Sequence, residues 1–356
     1  MQIGIIGLPN SGKTTIFNAL TRSETSTTAF SSGQLEVHTA VVNVPDPRVD
    51  RLSAMFKPKK TTYATVTFND IAGLGKGAGK SGLGGALLNA IAANDALMLA
   101  ARAFEDEAVP HPEDSVDPVR DLAMMEEELI LSDMTVIDKR LERLAAGKSR
   151  GTPEERKRMA AEEELLAKLM QALEAETPLR EIDLSDAELK ALGGFGLLSL
   201  KPMLRVINGA DNDDESAYAD ALDERTLFLR GKLEAEIAQM APDEAAEFLA
   251  DFGIEEPGLD RAIRFCYRMM GLESFFTVGD DEVRAWTVRR GTVAPVAAGV
   301  IHSDLQKGFI RAETVAYEEL IAAGGLVEAR KQGRLRLEGK EYVVQDGDIL
   351  NIRYNL

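Results

Sequence analysis

Residues 7–14 read G-L-P-N-S-G-K-T, and no other stretch of the chain limits its fold so tightly. The apolar run Gln2–Ile6 before it predicts a strand, and residues 15–20 after it predict a helix. Strand, glycine-bounded loop and helix in that order are the setting of a phosphate-binding loop, in which backbone N–H groups at a helix start curl around phosphate oxygens. The expected nucleotide contacts are Gly7, Leu8, Pro9, Asn10, Ser11, Gly12, Lys13, Thr14 and Thr15. Lys13 would reach the β- and γ-phosphates, and the Thr14 hydroxyl would sit on Mg2+.

The rest of the chain fits a domain built round that loop. Short apolar runs at 36–44, 64–69, 96–100, 203–207 and 226–229 predict further strands, and helical stretches at 15–20 and 83–93 suit crossover connections. Buried strands alternating with helices predict an α/β fold with a mainly parallel sheet and the nucleotide at its carboxyl edge. An insertion interrupts that sheet. From 118 to 173 the chain is rich in Ala, Leu, Glu, Lys and Arg, and Ile130, Met134, Ile137, Leu141 and Leu144 alternate spacings of four and three, a heptad seam along one helix. Gly147 and Gly151 mark a break. Thr152, Pro153 and Glu155 then supply a cap, a first-turn proline and a capping-box acid for a second helix, whose seam continues at Leu166, Leu169 and Leu173.

The expectation is an inserted antiparallel helical hairpin, a short coiled coil whose acidic outer residues form either a solvated face or a docking surface. Beyond a mostly helical stretch at 242–274 the texture changes. Strand character at 275–278, 283–287, 341–344 and 349–355, a helix at 312–320 and a turn at Asp346-Gly347 predict a small α+β module without clustered catalytic or ligating residues. Domains are therefore expected at 1–117 with 178–273, at 118–177 and at 274–356.

The formal net charge of −18 is unevenly placed, with the acidity concentrated between residues 101 and 274. Phosphates repel such a chain, so indiscriminate nucleic-acid binding is not expected, although either end can make a local contact. A single cysteine, Cys266, excludes an internal disulfide framework and a multi-cysteine metal site; beside Met269 and Met270 it reads as packing. No apolar run approaches about 18 residues, so no membrane span is expected. With the first strand beginning at Gln2 there is no room for a signal peptide, and a cytoplasmic protein is the simplest expectation.

Phosphoryl transfer needs a metal, held by a carboxylate at a strand end. Asp70 in F-N-D-I-A-G supplies one, and Gly73 can offer its N–H to a γ-phosphate. Glycines at 73, 75, 77, 79, 82, 84 and 85 make a segment able to change shape, read as a nucleotide-responsive switch with a passive flexible loop as the other reading. Base recognition is expected from N-G-A-D at 208–211, which has the outer spacing of a guanine-reading N-K-x-D with Gly209 in the lysine position. Asn208 and Asp211 are the candidates. A carboxylate there accepts from guanine's paired donors, which adenine lacks; the other reading makes Asp211 a plain loop residue among Asp213, Asp214 and Glu215.

Along its whole length the sequence resembles the YchF family of Obg-related P-loop GTPases and ATPases. The resemblance rests on G-L-P-N and G-K in the loop, F-N-A-L at 17–20, P-D-P-R at 45–48, D-I-A-G-L at 70–74, K-G at 76–77 and L-K-P at 200–202. It continues through E-P-G-L at 256–259, E-V-R-A-W-T at 282–287, A-G at 298–299, I-H at 301–302, Asp304, K-G-F-I-R-A at 307–312 and D-G-D at 346–348. It implies a GTPase-like domain, an inserted hairpin and a C-terminal TGS module of β-grasp type. It also implies Mg2+-dependent hydrolysis of ATP, with GTP hydrolysed poorly, and engagement of the ribosome or its RNA through the TGS module and hairpin.

Leu74 stands where many GTPases place a water-orienting glutamine, and a leucine cannot orient water by hydrogen bonding. Catalysis would then draw on another residue, a partner or a bound cation. Asn10 is the candidate K+ ligand, with helix-start packing as the other reading. The chain departs from the family at three places. Gln34 occupies the first-switch position where a threonine closes over Mg2+; its carbonyl is the substitute metal ligand, with Ser31 or Ser32 as alternatives. Asp211 replaces a glutamate, which keeps GTP in play beside ATP. Arg230-Gly231-Lys232 replaces a Ser-Ala-Lys element, leaving Gly231 and Lys232 as the expected base contacts. His302 either packs a loop or faces RNA, and Lys307 and Arg311 are candidate phosphate contacts. A slow nucleoside triphosphatase switch is the expected function; a non-hydrolysing nucleotide-binding adaptor and a GTP-specific switch are the alternatives.

Overall fold

The computed structural model describes residues 1–21, 36–72, 84–147, 152–251 and 256–355. By its contacts the chain divides into two compact units, Met1–Ala40 with Thr67–Ala262 and Val41–Val66 with Ile263–Leu356. In chain order the described strands are β1 (Gln2–Ile6), β2 (Glu36–Asn43), β3 (Lys60–Thr62), β4 (Thr65–Ala72), β5 (Ala96–Arg102) and β6 (Met203–Asn208). They continue as β7 (Thr226–Leu229), β8 (Leu272–Thr277), β9 (Glu282–Arg289), β10 (Phe309–Ala316), β11 (Arg336–Glu338) and β12 (Asp348–Tyr354).

The first sheet runs β2-β4-β1-β5-β6-β7. Its strands β4, β1, β5, β6 and β7 pair in parallel, as the alternation of apolar runs and helices predicts. All seven residues of β5, A-L-M-L-A-A-R, are buried, the pattern of a parallel strand covered on both faces. Ile6, Leu97, Leu99, Ile207 and Phe228 of this sheet pack with Leu87 and Ile91 from the helix Gly85–Ala92. They also pack with Leu122, Met125 and Leu129 from the helix Pro118–Gly147. The first third of that long helix therefore belongs to the sheet's core.

Beyond Ile130 the same helix changes partners. Ile130, Ile137 and Leu144 are buried against Leu166, Leu169 and Leu173 of the helix Pro153–Glu174, with Met134 and Leu141 partly buried beside them. Arg140 pairs with Glu162 and Gly147 lies beside Met159, so the two helices run antiparallel. The return is built as its residues predict: the Thr152 hydroxyl accepts from Glu155 N–H, the Glu155 carboxylate accepts from Thr152 N–H, and Pro153 sits in the first turn. At the root, Leu179, Leu192 and Leu197 complete this second core. No helix among the described residues is long and apolar enough to cross a membrane.

The second unit is α+β, with a sheet in the order β11-β10-β12-β8-β9-β3. Two expectations fail here. Residues 312–320 do not form one helix: Phe309–Ala316 is a strand, β10, and the helix begins at Tyr317. The Ala and Glu content suggests a helix, but antiparallel pairing to β12 on one side and β11 on the other overrides that preference. Residues 341–344 form only an isolated bridge, Val293 to Val343. The chain turns instead, because the Asp348 carboxylate accepts from Gln345 N–H and Tyr342 O–H.

Residues 41–66, expected in the N-terminal domain, group with the second unit. There β3 adds in parallel to β9. The P-D-P-R motif explains the attachment. Asp46 caps the helix Pro47–Phe56 with Pro47 in its first turn, and the Arg48 guanidinium bridges Asp46 and Asp346 while lying 5.1 Å from the Phe276 ring centre. Asp346 in turn accepts from Ser274 N–H. Those carboxylates raise the Arg48 pKa in spite of burial, which pulls the other way. Two markers nearly three hundred residues apart, P-D-P-R and D-G-D, are halves of one contact.

Candidate functional site

The carboxyl ends of β1, β4, β5, β6 and β7 all open on one edge of the first sheet, and the expected site residues collect there. Residues 7–12 leave β1 and enter the helix Lys13–Thr21. Gly7 and Gly12 have φ of +149° and +87°, values that side-chain-bearing residues rarely take. Space forbids a side chain as well: a Cβ on Gly7 would lie 2.2 Å from Ala100 O, and one on Gly12 would lie 2.1 Å from Asn208 Nδ2. The loop therefore lies close against β5 and β6 where it enters the helix start, the part of a helix whose backbone N–H groups can receive phosphate oxygens.

Lys13 is buried, and its ammonium donates to Gly7 O at 3.0 Å and Leu8 O at 2.7 Å. Burial lowers its pKa to about 8, against the raising pull of the Asp70 charge. Ile5 of β1 is in register with Asp70 of β4, so the strand pairing sets the carboxylate beside the loop. The Thr14 hydroxyl donates to Asp70 Oδ2 at 2.8 Å. Asp70 Oδ1 and Ser11 Oγ are both buried without a hydrogen-bond partner. A buried carboxylate oxygen left unpaired is costly, and it suits a cation. The donor set is a hydroxyl and a carboxylate, hard oxygen ligands of the kind Mg2+ takes alongside phosphate oxygens and water. The groups present therefore fit Mg2+.

Directly against the loop, Asn208 ends β6 and is buried. Its Nδ2 donates to Ser11 O and its Oδ1 accepts from Gly231 N–H, each at 3.0 Å, so one carboxamide ties the phosphate loop to the start of the helix Gly231–Gln239. Asp211 Oδ1 is buried without a partner, and Asp211 Oδ2 lies 3.8 Å from Lys232 Nζ. Asp213 shapes the same turn by accepting from Ala210 N–H. Arg230 donates to Asp213 O and stands over Phe228, which stacks on Tyr218. The structure thus brings together Gly7, Leu8, Pro9, Asn10, Ser11, Gly12, Lys13, Thr14 and Asp70 at one end, and Asn208, Asp211, Gly231 and Lys232 at the other. Thr15 lies in the helix's first turn. Gly73, the glycine-rich segment after it, and Gln34 lie outside the described residues.

Two groups at this edge, Arg102 and the His111–Asp121 pair, were not singled out from sequence. Arg102 is fully buried at the end of β5 and donates to Phe104 O, Asp106 O and Val109 O, with its guanidinium 4.5 Å from the Phe104 ring centre. It holds the following loop in shape. His111 Nε2 lies 2.9 Å from Asp121 Oδ2, with Arg120 on the same carboxylate. Asn10, at φ +63°, donates its Nδ2 to Pro110 O, which links the phosphate loop to this segment. A lone arginine closing an otherwise apolar strand was the available signal, since a buried cation must find acceptors.

Comparison with known proteins agrees with this architecture. Residues 2–140 match the family model MMR_HSR1, described as a 50S ribosome-binding GTPase. Residues 272–355 match YchF-GTPase_C, described as a protein of unknown function (DUF933). The chain is 41% identical over 368 residues to the ribosome-binding ATPase YchF of Bacillus subtilis (strain 168), with all of both chains covered. It is 36% identical to Obg-like ATPase 1 of Caenorhabditis elegans, covering 100% of this chain and 92% of that one. Among solved structures, the YchF GTPase of Schizosaccharomyces pombe superposes with a TM-score of 0.86 at 34% identity, covering 99% of this chain and 97% of the other. Matches that run end to end through both chains place this protein in the YchF family.

Proposed function

We propose that the protein is a slow nucleoside triphosphatase that works as a ribosome-engaging switch, with ATP as the first-choice nucleotide. The observation that carries this is the convergence of Lys13, Thr14 and Asp70 at one helix N-terminus, with Asp70 Oδ1 and Ser11 Oγ buried and unpaired beside them. The loop amides and Lys13 bind and orient the phosphate tail. Thr14 and Asp70 would hold Mg2+, with Gln34 as a further ligand, and the ion would offset charge on the β- and γ-phosphates. Gly73 would report on the γ-phosphate through its N–H. Asn208, Asp211, Gly231 and Lys232 would frame the base. The ribosome-binding names of the relatives support the partner; the hairpin and the C-terminal module, which we read as a TGS domain, would present the surface, with Lys307 and Arg311 toward RNA phosphates.

The test is phosphate release at saturating ATP and GTP with Mg2+, with and without K+ and ribosomes, against a Lys13→Ala control. Turnover above that control supports the switch; none under any condition leaves a nucleotide-binding adaptor instead. The K+ arm tests Asn10 as a cation ligand. One observation favours GTP as a second reading: Asp211 Oδ1 is buried without a partner, as an acceptor for guanine's donors would be. Paired ATP and GTP affinities decide between the two.

A further inference from the structure

Asp70 has a neighbour that faces away from the phosphate end. Asn69 is buried on β4, where its Oδ1 accepts from the Thr39 hydroxyl of β2 at 2.7 Å. Its Nδ2 donates to Asn94 Oδ1 at 2.7 Å and to Gln2 Oε1 at 3.2 Å. Asn94 is itself 3% exposed and donates to Ala90 O at the end of the helix Gly85–Ala92. Its carboxamide passes over β1 at Gly4, where a Cβ would lie 2.8 Å from Nδ2. A glycine in mid-strand weakens the strand, and here it makes room for this crossing.

The chain of contacts continues. Lys201 Nζ donates to Ala92 O at 2.9 Å and to Asn94 O. Burial lowers the Lys201 pKa, while Asp95 and Asp133 pull it up. Lys201 N–H closes a turn on Leu198 O. That turn is gripped by the hairpin: Asp133 Oδ1 accepts from Leu198 N–H at 2.7 Å, and Asp133 Oδ2 accepts from Ser199 N–H at 2.8 Å and the Ser199 hydroxyl at 2.6 Å. Arg180 fastens the same turn, donating to Ser199 O and to Glu126. Asn69, Asn94, Ser199 and Asp133 are all buried, where an unmade hydrogen bond costs the full desolvation of the group. A shift of one member is therefore passed on more cheaply than it is absorbed.

We propose that Asn69, Asn94 and Lys201 are a polar relay through which the state of the Thr14–Asp70 phosphate end sets the order and disposition of the inserted helical hairpin. Asn69 and Asp70 are adjacent on one strand with side chains on opposite faces, so a displacement that re-forms the contacts of one carries the other. The relay has two discrete ends, and it gives the hairpin a reason to be rooted at Leu198–Lys201. The three are positioning residues, and none touches the phosphate loop. The proposal rests on the reading that residues 7–14 bind a triphosphate.

The experiment is amide hydrogen exchange on the full chain with and without excess Mg2+ and a non-hydrolysable ATP analogue, read on hairpin peptides within 130–147 and 153–174, with the analogue's affinity measured in parallel by calorimetry. In the wild type the analogue changes hairpin exchange by at least about threefold, and Lys201→Met reduces the change to near unity with affinity held within about threefold. Asn94→Ala does the same; if it unfolds, Lys201→Met and a Lys201→Arg variant that restores the response carry the test. Arg140→Ala, on the hairpin but off the relay, leaves the response intact, which separates coupling from general loosening. Analogue binding without any change in hairpin exchange, a full response in Lys201→Met, or an equal loss in Arg140→Ala overturns the relay. Absence of binding overturns the phosphate-site reading and the relay with it.

Discussion

Asp70 at the phosphate end and Asp133 at the root of the hairpin are both fully buried carboxylates, yet they are finished differently. Asp133 accepts three donors from Leu198 and Ser199, at least one on each oxygen. Burial still raises its pKa, with those bonds working to lower it. Asp70 accepts one donor, from Thr14, and its second oxygen has none. Desolvating a carboxylate is costly until its lone pairs are met. Asp133 has its donors supplied by the chain, as a structural joint would; Asp70 keeps an unmet oxygen, which is what the proposed metal role draws on. The difference separates the two regions without reference to any relative.

That contrast can be broken. The largest effect is expected at Lys13: Lys13→Ala should lower triphosphate affinity at least about thousandfold, roughly 4 kcal/mol by calorimetry, with the melting temperature little changed. Retained tight binding would remove the phosphate end from consideration. Next comes Asp133→Ala, which strands three buried donors and should cost about 3 kcal/mol of stability in urea unfolding, while nucleotide affinity in the folded fraction stays close to wild type. Asp70→Asn should do the reverse. Its unfolding free energy should stay within about 0.5 kcal/mol of wild type or rise, and its Mg2+-dependent gain in triphosphate affinity should fall by about 2 kcal/mol. If Asp70→Asn destabilises as much as Asp133→Ala, the two carboxylates do the same work and the distinction is gone. The smallest change is at the hairpin return, where Thr152→Ala removes one side-chain cap and should cost about 1 kcal/mol by thermal denaturation without altering nucleotide binding.

Local chemistry was legible in the sequence and distant pairing was not. The phosphate loop, the heptad seam from Ile130 to Leu144 and the Thr152–Glu155 cap each depend on residues a few positions apart, and each is found as its spacing predicts. The helix expected at 312–320 failed because partners at 336–338 and 348–354 decide that β10 is a strand. The attachment of 41–66 to the second unit rests on Arg48 meeting Asp346, a contact that no local pattern encodes. Asn69 and Asn94 look in sequence like ordinary polar residues at an element's edge; only the crossing over Gly4 joins them. In the site, Lys13, Thr14, Asp70 and Asn208 were each readable as a type of group in a motif. That Asn208 would spend both ends of its carboxamide on Ser11 and Gly231 follows from two glycines that only the fold places beside it.

The addition of β3 to the edge of the C-terminal sheet has a consequence for how the polypeptide matures. A ribosome emits β3 early and its neighbour β9 more than two hundred residues later. For most of synthesis β3 waits with its pairing edge open, and the Arg48 guanidinium has Asp46 but not yet Asp346 as a partner. A gene fragment beginning at residue 274 would lack that strand and that cation, and should emerge with a bare flank on β9 that is prone to self-association. The module is sewn together from two distant stretches of the chain, so deleting either stitch should loosen the seam.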